Sequence, residues 1–324
     1  MAIQASKYIW KNGRLINWAD ATVHVLSHAL HYGSSVFEGI RVYATPDGPA
    51  AFRLEEHIDR LFDSARIHRI PMPYDRDTLL AACRSVVIDN ELASAYLRPI
   101  VFRGYGSLGL VAGEDVATEV VVAAVSWGRY LGEEAMEQGV DAAVTSWQRP
   151  APNTVPALAK AGGNYLSGSL ISSEAKRHGY GEGIALSHDG LISEGAGENL
   201  FLVRDGQLFT PPVASSILGG ITRDSVIRMA ADSGLDVREQ PMPREMLYLA
   251  DEIFFTGTAA EITPVRSVDG IVVRAGGRGP ITQQLQERFF GLFDGSQPDR
   301  HGWLTHFAPA STAHQELPHV ANAV

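Results

Sequence analysis

Apolar residues recur along this chain in two rhythms, a period of two that marks strands and a three-to-four spacing that marks helices. Residues 7 to 53 set brief apolar runs between turn signals: Tyr8 to Trp10, the Asn12-Gly13 pair, Arg14 to Ile16, Val36 to Tyr43, then Pro46-Asp-Gly48 ahead of Ala51 and Phe52. This is the pattern of hairpins, and Thr22 to Val25 reads as one more strand. From Leu54 to Arg69 the apolar positions 54, 58, 61, 62, 65 and 67 predict a helix, stopped by Pro71 and Pro73. Asp75 to Asn90 predicts a second, packed through Leu79, Leu80, Cys83, Val86 and Val87. Tyr96 to Arg103 and Glu119 to Trp127 are expected as strands, the latter so apolar that burial on both faces is expected.

Gly128 to Gly139 is polar and bounded by glycine, and the link between two domains is placed there. The expected division is a small α/β domain over 1–128, a link over 129–139, a larger domain over 140–307, and a tail over 308–324 that lacks periodicity and adds nothing to the core. In the larger part come a strand from Val140 to Ser146, a proline-rich loop, and a helix from Tyr165 to His178. Hairpins follow, punctuated by Asp189-Gly190 and Asp205-Gly206. A helix opened by Gly219-Gly-Ile-Thr222 runs to Ala231, with Thr222 as its expected N-cap. Strands at Asp236 to Glu239 and Glu252 to Thr256 and a helix from Thr282 to Phe293 complete the pattern. The chain has 324 residues, more than one core usually serves, which also favours two domains in an α+β arrangement.

A formal charge of −10 disfavours nucleic acid and anionic membranes as partners and points to small metabolites. Cys83 is the only cysteine, which excludes an intrachain disulfide and a cysteine-rich zinc site. The N-terminus lacks the basic start and apolar run of a signal peptide, and no stretch approaches 18 uninterrupted apolar residues, so a cytoplasmic protein is expected. His24, His28 and His31 are spaced as metal ligands on a helix could be, but without an accompanying glutamate they read as packing or hydrogen-bonding residues, and no metal is expected.

Lysine is scarce: Lys7, Lys11, Lys160 and Lys176 are the only ones. Three read as solvated. Lys160 is the sole charged residue between Arg149 and Glu174, in Ala159-Lys-Ala-Gly-Gly-Asn-Tyr165, and a largely uncharged wall is expected around it. Desolvation favours the neutral form of an amine, and a neutral amine attacks carbonyls, so Schiff-base chemistry is one reading. A lysine that extends its head from a loop to water is the other. Gly219-Gly220-Ile221-Thr222 at a helix start offers backbone N–H groups to a phosphate, and Thr256-Gly257-Thr258-Ala259-Ala260 offers a second small-residue turn. Either alone is equally a cap or tight turn. With Lys160 and an arginine, they describe a phosphate-bearing aldehyde held beside an amine, which is pyridoxal phosphate. Gly104-Tyr-Gly-Ser-Leu-Gly109 matches a dinucleotide-binding fingerprint as a string, but no helix pattern follows it. Ser173-Glu-Ala-Lys176 lacks the partner motifs of an acyl enzyme.

Taken together, the chain from about Tyr8 to Trp303 resembles the bacterial branched-chain-amino-acid aminotransferases among the fold-type IV pyridoxal-phosphate enzymes. The likeness rests on Tyr32-Gly-Ser-Ser-Val-Phe-Glu-Gly-Ile-Arg41, Tyr96-Leu-Arg98-Pro, Ala159 to Tyr165, Ser193-Glu-Gly-Ala-Gly-Glu-Asn199, Gly220-Ile-Thr-Arg223 and Gly257-Thr-Ala-Ala-Glu-Ile262. It implies a small α/β N-terminal domain and a larger β-barrel-like C-terminal domain, with pyridoxal 5′-phosphate as cofactor. Lys160 is then the Schiff-base lysine and moves the proton between the substrate's Cα and the cofactor. Glu194 is implied to face the pyridine nitrogen and Tyr165 the phenolic oxygen. Arg60, Ile221, Thr222 and Thr258 are implied at the phosphate, with Leu218 and Gly257 also at the cofactor.

For substrate, the resemblance implies Tyr96, Thr258 and Ala259 at the α-carboxylate, Arg98 at the γ-carboxylate of glutamate, and Phe37, Gly39, Tyr165, Trp127 and Tyr130 around the side chain. Tyr32, Leu108 and Leu110 are implied to come from a neighbouring subunit, in a homodimer or a trimer of dimers. The implied reaction takes L-leucine, L-isoleucine or L-valine with 2-oxoglutarate to the 2-oxo acid and L-glutamate. Because one methylene is worth only about 1–3 kcal/mol in an apolar pocket, overlapping use of the three is expected. Rival readings are a D-amino acid or (R)-amine aminotransferase or an aminodeoxychorismate lyase of the same fold, and a non-catalytic binder of a phosphate ligand.

Overall fold

The computed structural model describes residues 3–126 and 134–307. Strands β1 (Tyr8–Lys11) and β2 (Arg14–Asn17) form a hairpin across Asn12 and Gly13, whose φ angles of 48° and 91° suit that tight turn. Thr22 to Val25, expected as a strand, has no regular structure: Val23 and Val25 are 48% and 73% exposed, so the alternation has no core face to bury. Helix α1 (His28–Tyr32) follows. The apolar run after it is cut into β3 (Ser35–Phe37) and β4 (Ile40–Thr45), because Glu38 and Gly39 leave the strand path and Glu38 turns its carboxylate inward. β5 (Gly48–Phe52) pairs with β4.

Helices α2 (Leu54–Ile67) and α3 (Arg76–Ile88) match the helical periodicity, and Asp75 caps α3 by accepting from the Thr78 N–H at 2.9 Å. β6 (Ala95–Arg103) pairs with β7 (Thr118–Val125) along the whole of β7. Burial along β7 alternates instead of covering both faces, because helix α3 packs on one side of it.

In the second half run α4 (Ala135–Gln138), β8 (Val140–Gln148), α5 (Tyr165–Arg177), β9 (Glu182–Leu186), β10 (Ile192–Gly195), β11 (Asn199–Arg204) and β12 (Gln207–Thr210). After them come α6 (Ile221–Asp232), β13 (Val237–Glu239), α7 (Met246–Leu249), β14 (Glu252–Gly257), β15 (Glu261–Val268), β16 (Ile271–Val272), α8 (Pro280–Asp294) and β17 (Leu304–His306). Of the expected link, 129–133 lie outside the described residues, as does the tail 308–324, while Ala135 and Met136 of α4 are buried.

Two sheets result, in a two-domain α+β arrangement. Among the described residues the first has the order β17-β5-β4-β6-β7-β1-β2, with β3 beside β6. The second, curled sheet has the order β10-β9-β8-β15-β14-β11-β12-β13, with β16 beside β15. An aromatic core joins them through α8. Phe293 stacks on Tyr43 of β4 at 3.5 Å between centroids, and Phe289 meets Phe52 of β5 edge-on at 5.3 Å. Burying such a ring contributes roughly 1.5–3 kcal/mol. β17 belongs to the first sheet: it pairs with β5, the Arg53 N–H donates to the Trp303 carbonyl at 2.7 Å, and Phe307 is buried in the first core. No helix among the described residues is long and apolar enough to cross a membrane.

Candidate active site

The loop after β8 ends on Lys160, and its backbone is fastened to the first half of the chain. The Lys160 N–H donates to Ser64 Oγ of α2 at 3.0 Å, its carbonyl accepts from the Phe37 N–H at 3.0 Å, and Ala161 bridges to Val36 of β3. Nζ is partly buried and donates to Tyr165 Oη at 2.7 Å, while lying 5.3 Å and 5.1 Å from the ring centroids of Phe37 and Tyr165. The amine is therefore aimed along an aromatic wall.

That wall is not uncharged, contrary to the expectation from the loop's composition. Arg60, Arg149, Glu194 and Glu198 line the same cavity, brought there by long-range folding from stretches remote in sequence. The scarcity of lysine holds as read, with one amendment: Lys11 is largely covered and donates to the Thr22 carbonyl at 3.0 Å.

Glu194, on β10, accepts from Arg149 Nη2 at 2.9 Å through Oε1, and from Asn199 Nδ2 and the Leu218 N–H, each at 3.0 Å, through Oε2. A carboxylate has roughly four lone-pair sites, so one remains for a donor in the cavity. Burial pushes this carboxyl above its ordinary range, against the pull of Arg149, the Leu218 N–H and Lys160. Glu198 goes further: burial first, then repulsion from Glu182, push it up to about 8, so its carboxyl is mostly protonated at neutral pH. On the first half of the chain, Glu38 holds Arg60 through two hydrogen bonds of 2.6 and 2.9 Å.

Helix α6 begins at Gly220 with no side-chain cap. Thr222, expected as that cap, is the second helical residue instead. A Cβ on Gly220 would lie 1.9 Å from Asn199 Oδ1, so the close approach of β11 requires glycine here. The uncapped N–H groups at Ile221 and Thr222 and the positive end of the helix make an anion site at one end of the cavity. Thr256 Oγ1 and Arg149 Nε are buried with no hydrogen-bond partner, and both residues line this cavity. Such groups are costly to leave unmatched, which points to a polar ligand.

The structure brings Arg60, Lys160, Tyr165, Glu194, Leu218, Ile221, Thr222, Gly257 and Thr258 together around one cavity. Beside it, Phe37 meets Tyr165 edge-on at 4.8 Å, and the Arg98 guanidinium lies 4.7 Å over Phe37 and donates to Tyr96 Oη at 3.2 Å. Tyr96 Oη occupies the space a Cβ on Gly39 would need, 1.9 Å away. Ala259 follows Thr258 in the turn after β14. Tyr32, Leu108 and Leu110 do not reach this cavity. They are 40%, 60% and 86% exposed, on a surface where His28 packs on Tyr32 and bonds the Gly109 carbonyl at 2.8 Å. Trp127 and Tyr130 lie outside the described residues.

Sequence reasoning missed Glu38, His57, Arg149, Glu198 and Asn199. One signal was available for Glu38: a charge inside an apolar run implies a buried partner.

Residues 35–268 match the model of the amino-transferase class IV family. The chain belongs to the class IV aminotransferases. This class IV aminotransferase is 59% identical over 304 residues to the branched-chain-amino-acid aminotransferase of Escherichia coli (strain K12), across 94% of this chain and 98% of that protein. It is 46% identical to the protein of that name from Pseudomonas aeruginosa, across 92% and 96%. The crystal structure of the E. coli branched-chain amino acid aminotransferase superposes with a TM-score of 0.92 at 58% identity, covering 94% of this chain and all of that one. The branched-chain amino acid aminotransferase from Thermobaculum terrenum, solved in its PLP form, superposes with a TM-score of 0.87 at 36% identity, covering 93% and 98%.

The cavity of this class IV aminotransferase fits pyridoxal phosphate. The uncapped α6 terminus and the unmatched Thr256 hydroxyl suit a phosphate, the remaining Glu194 lone pair suits a pyridine N–H, and the Lys160 amine in the same cavity suits an aldehyde.

Proposed function

We propose that this class IV aminotransferase transfers the amino group of L-leucine, L-isoleucine or L-valine to 2-oxoglutarate, reversibly, with pyridoxal 5′-phosphate as cofactor. The observation that carries this reading is the convergence on one cavity of the Lys160 amine, the Glu194 carboxylate and the uncapped start of α6, with the Phe37, Tyr96 and Arg98 group at its side.

Bound there, the cofactor supplies an aldehyde that takes up the amino group and a ring that withdraws electrons from the substrate's α-carbon. Lys160 Nζ, hydrogen-bonded to Tyr165 Oη, would take the proton from that carbon. Glu194 holds a proton on the ring nitrogen, and Arg149 and Asn199 hold Glu194 in place. Arg60 and the N–H groups of Ile221 and Thr222 hold the phosphate. Tyr96 and the Thr258-Ala259 turn take the α-carboxylate. Phe37 and Tyr165 receive an aliphatic side chain, and Arg98 above Phe37 receives the second carboxylate of glutamate, so one pocket serves both halves of the exchange.

Tyr32, Leu108 and Leu110 close the pocket of a neighbouring copy, in a homodimer or larger assembly working in the cytoplasm. The test is an absorbance scan of the purified holoenzyme. Addition of L-leucine converts the aldehyde form of the cofactor to the amine form, and 2-oxoglutarate restores it. Conversion by D-alanine but not L-leucine would replace this reading with the D-amino acid one.

A further inference from the structure

Glu38 sits between β3 and β4 with no exposed surface. Its Oε1 accepts from Arg60 Nε at 2.6 Å, and its Oε2 accepts from Arg60 Nη2 at 2.9 Å and from His57 Nδ1 at 2.6 Å. This two-pronged contact occupies one edge of the guanidinium. The remaining nitrogen, Nη1, donates to the Gly219 carbonyl at 2.8 Å, at the entry to α6. His57 and Arg60 lie three residues apart on α2 and so share a face. His57 is itself buried, and that burial lowers its affinity for a proton against the pull of Glu38. Burial would raise the Glu38 carboxyl, but Arg60 and His57 outweigh it and keep it ionised.

A carboxylate beside an arginine that binds a phosphate is a puzzle on charge alone, since it cancels attraction for the anion. Orientation resolves it. A free arginine side chain carries substantial rotamer entropy, which would be lost on gripping the ligand unless it has been lost already. Glu38 holds two guanidinium nitrogens in one geometry, and His57 Nδ1 holds Glu38 Oε2 at 2.6 Å.

We propose that Glu38, steadied by His57, is the positioning residue for Arg60: it sets the direction in which Nη1 meets the anionic end of the cofactor. This rests on the assignment of Arg60 to the phosphate given above.

Apoenzyme is titrated with pyridoxal 5′-phosphate and, separately, with pyridoxal, which has no phosphate, and binding is followed by tryptophan fluorescence. Glu38→Gln is expected to weaken binding of the phosphorylated ligand about tenfold or more and to leave binding of pyridoxal unchanged. Arg60→Gln is expected to lose at least as much, and Glu38→Gln added to Arg60→Gln to lose nothing further. Unchanged or tighter binding of the phosphorylated ligand by Glu38→Gln, or an equal loss for both ligands, overturns the proposal so long as Arg60→Gln keeps its phosphate-specific loss. Absence of that loss in Arg60→Gln overturns the assignment of Arg60 instead. If Glu38→Gln yields no folded protein, His57→Phe carries the same comparison: a phosphate-specific loss supports the proposal, and no loss or an equal loss for both ligands overturns it.

Discussion

At the inner end of the cavity the charged side chains are held by partners from the same chain: Arg60 by Glu38 and the Gly219 carbonyl, Arg149 by Glu194, Lys160 by Tyr165. Away from the cavity, Leu108 and Leu110 stand 60% and 86% exposed on a glycine-bounded loop, tied to α1 through His28. The partners that hold the inner end all come from this chain, an arrangement that suits transition-state stabilisation. The loop over 108–110 presents exposed apolar surface, which the proposed function gives to a neighbouring copy. The two regions thus differ in how far side chains of this chain cover and pair them.

The largest effect separating the two regions comes from Lys160→Ala, which should cut turnover by about 10⁴-fold, read in a coupled assay, with the circular dichroism unchanged. Next is Glu194→Ala. It leaves Arg149 buried without a carboxylate, and the apoenzyme should lose about 3 kcal/mol in urea unfolding along with most of its activity.

Acid probes the same inner end. The Glu38 carboxyl is held below its unfolded value of 4.5, so its stabilisation is complete above that pH and is lost progressively as pH falls below it. Wild type should therefore lose more stability than Glu38→Gln in acid melts below that value.

Glu198 has the opposite sign. Its folded value, near 8, exceeds its unfolded value of 4.5, so it costs stability as pH rises between the two. Glu198→Gln should melt higher than wild type at pH 8, with the gap closing toward pH 5. The smallest effect is on the exposed loop away from the cavity: Leu110→Asp should weaken self-association in sedimentation and lower turnover of L-leucine about threefold while leaving affinity for the cofactor intact.

Much of the inner end was legible because its residues stand out locally. Lys160 is conspicuous in a lysine-poor chain, and the turns at Gly220 and Gly257 break the strand and helix rhythms beside it. The helices α2, α3 and α8 were visible for the same reason, since a 3.6-residue period over a dozen residues has few imitators. What escaped is pairwise. Arg149 looked like the last charge before an uncharged loop, yet it meets Glu194 across 45 positions of sequence, and Glu38 meets Arg60 across 22. Periodicity carries no record of such pairs. Thr22 to Val25 failed as a strand for a related reason: alternation marks a face, but only the tertiary fold supplies something to cover it.

The pairing of β17 with β5 reverses the order in which the polypeptide is made. A sheet begun by residues near position 8 gains the edge beside β5 only from residues 304 to 306, so nascent chains carry that open β5 flank until those residues are made. Emergence of residues 304 to 306, and not of the first half, is the moment at which this flank is sealed against pairing with another molecule.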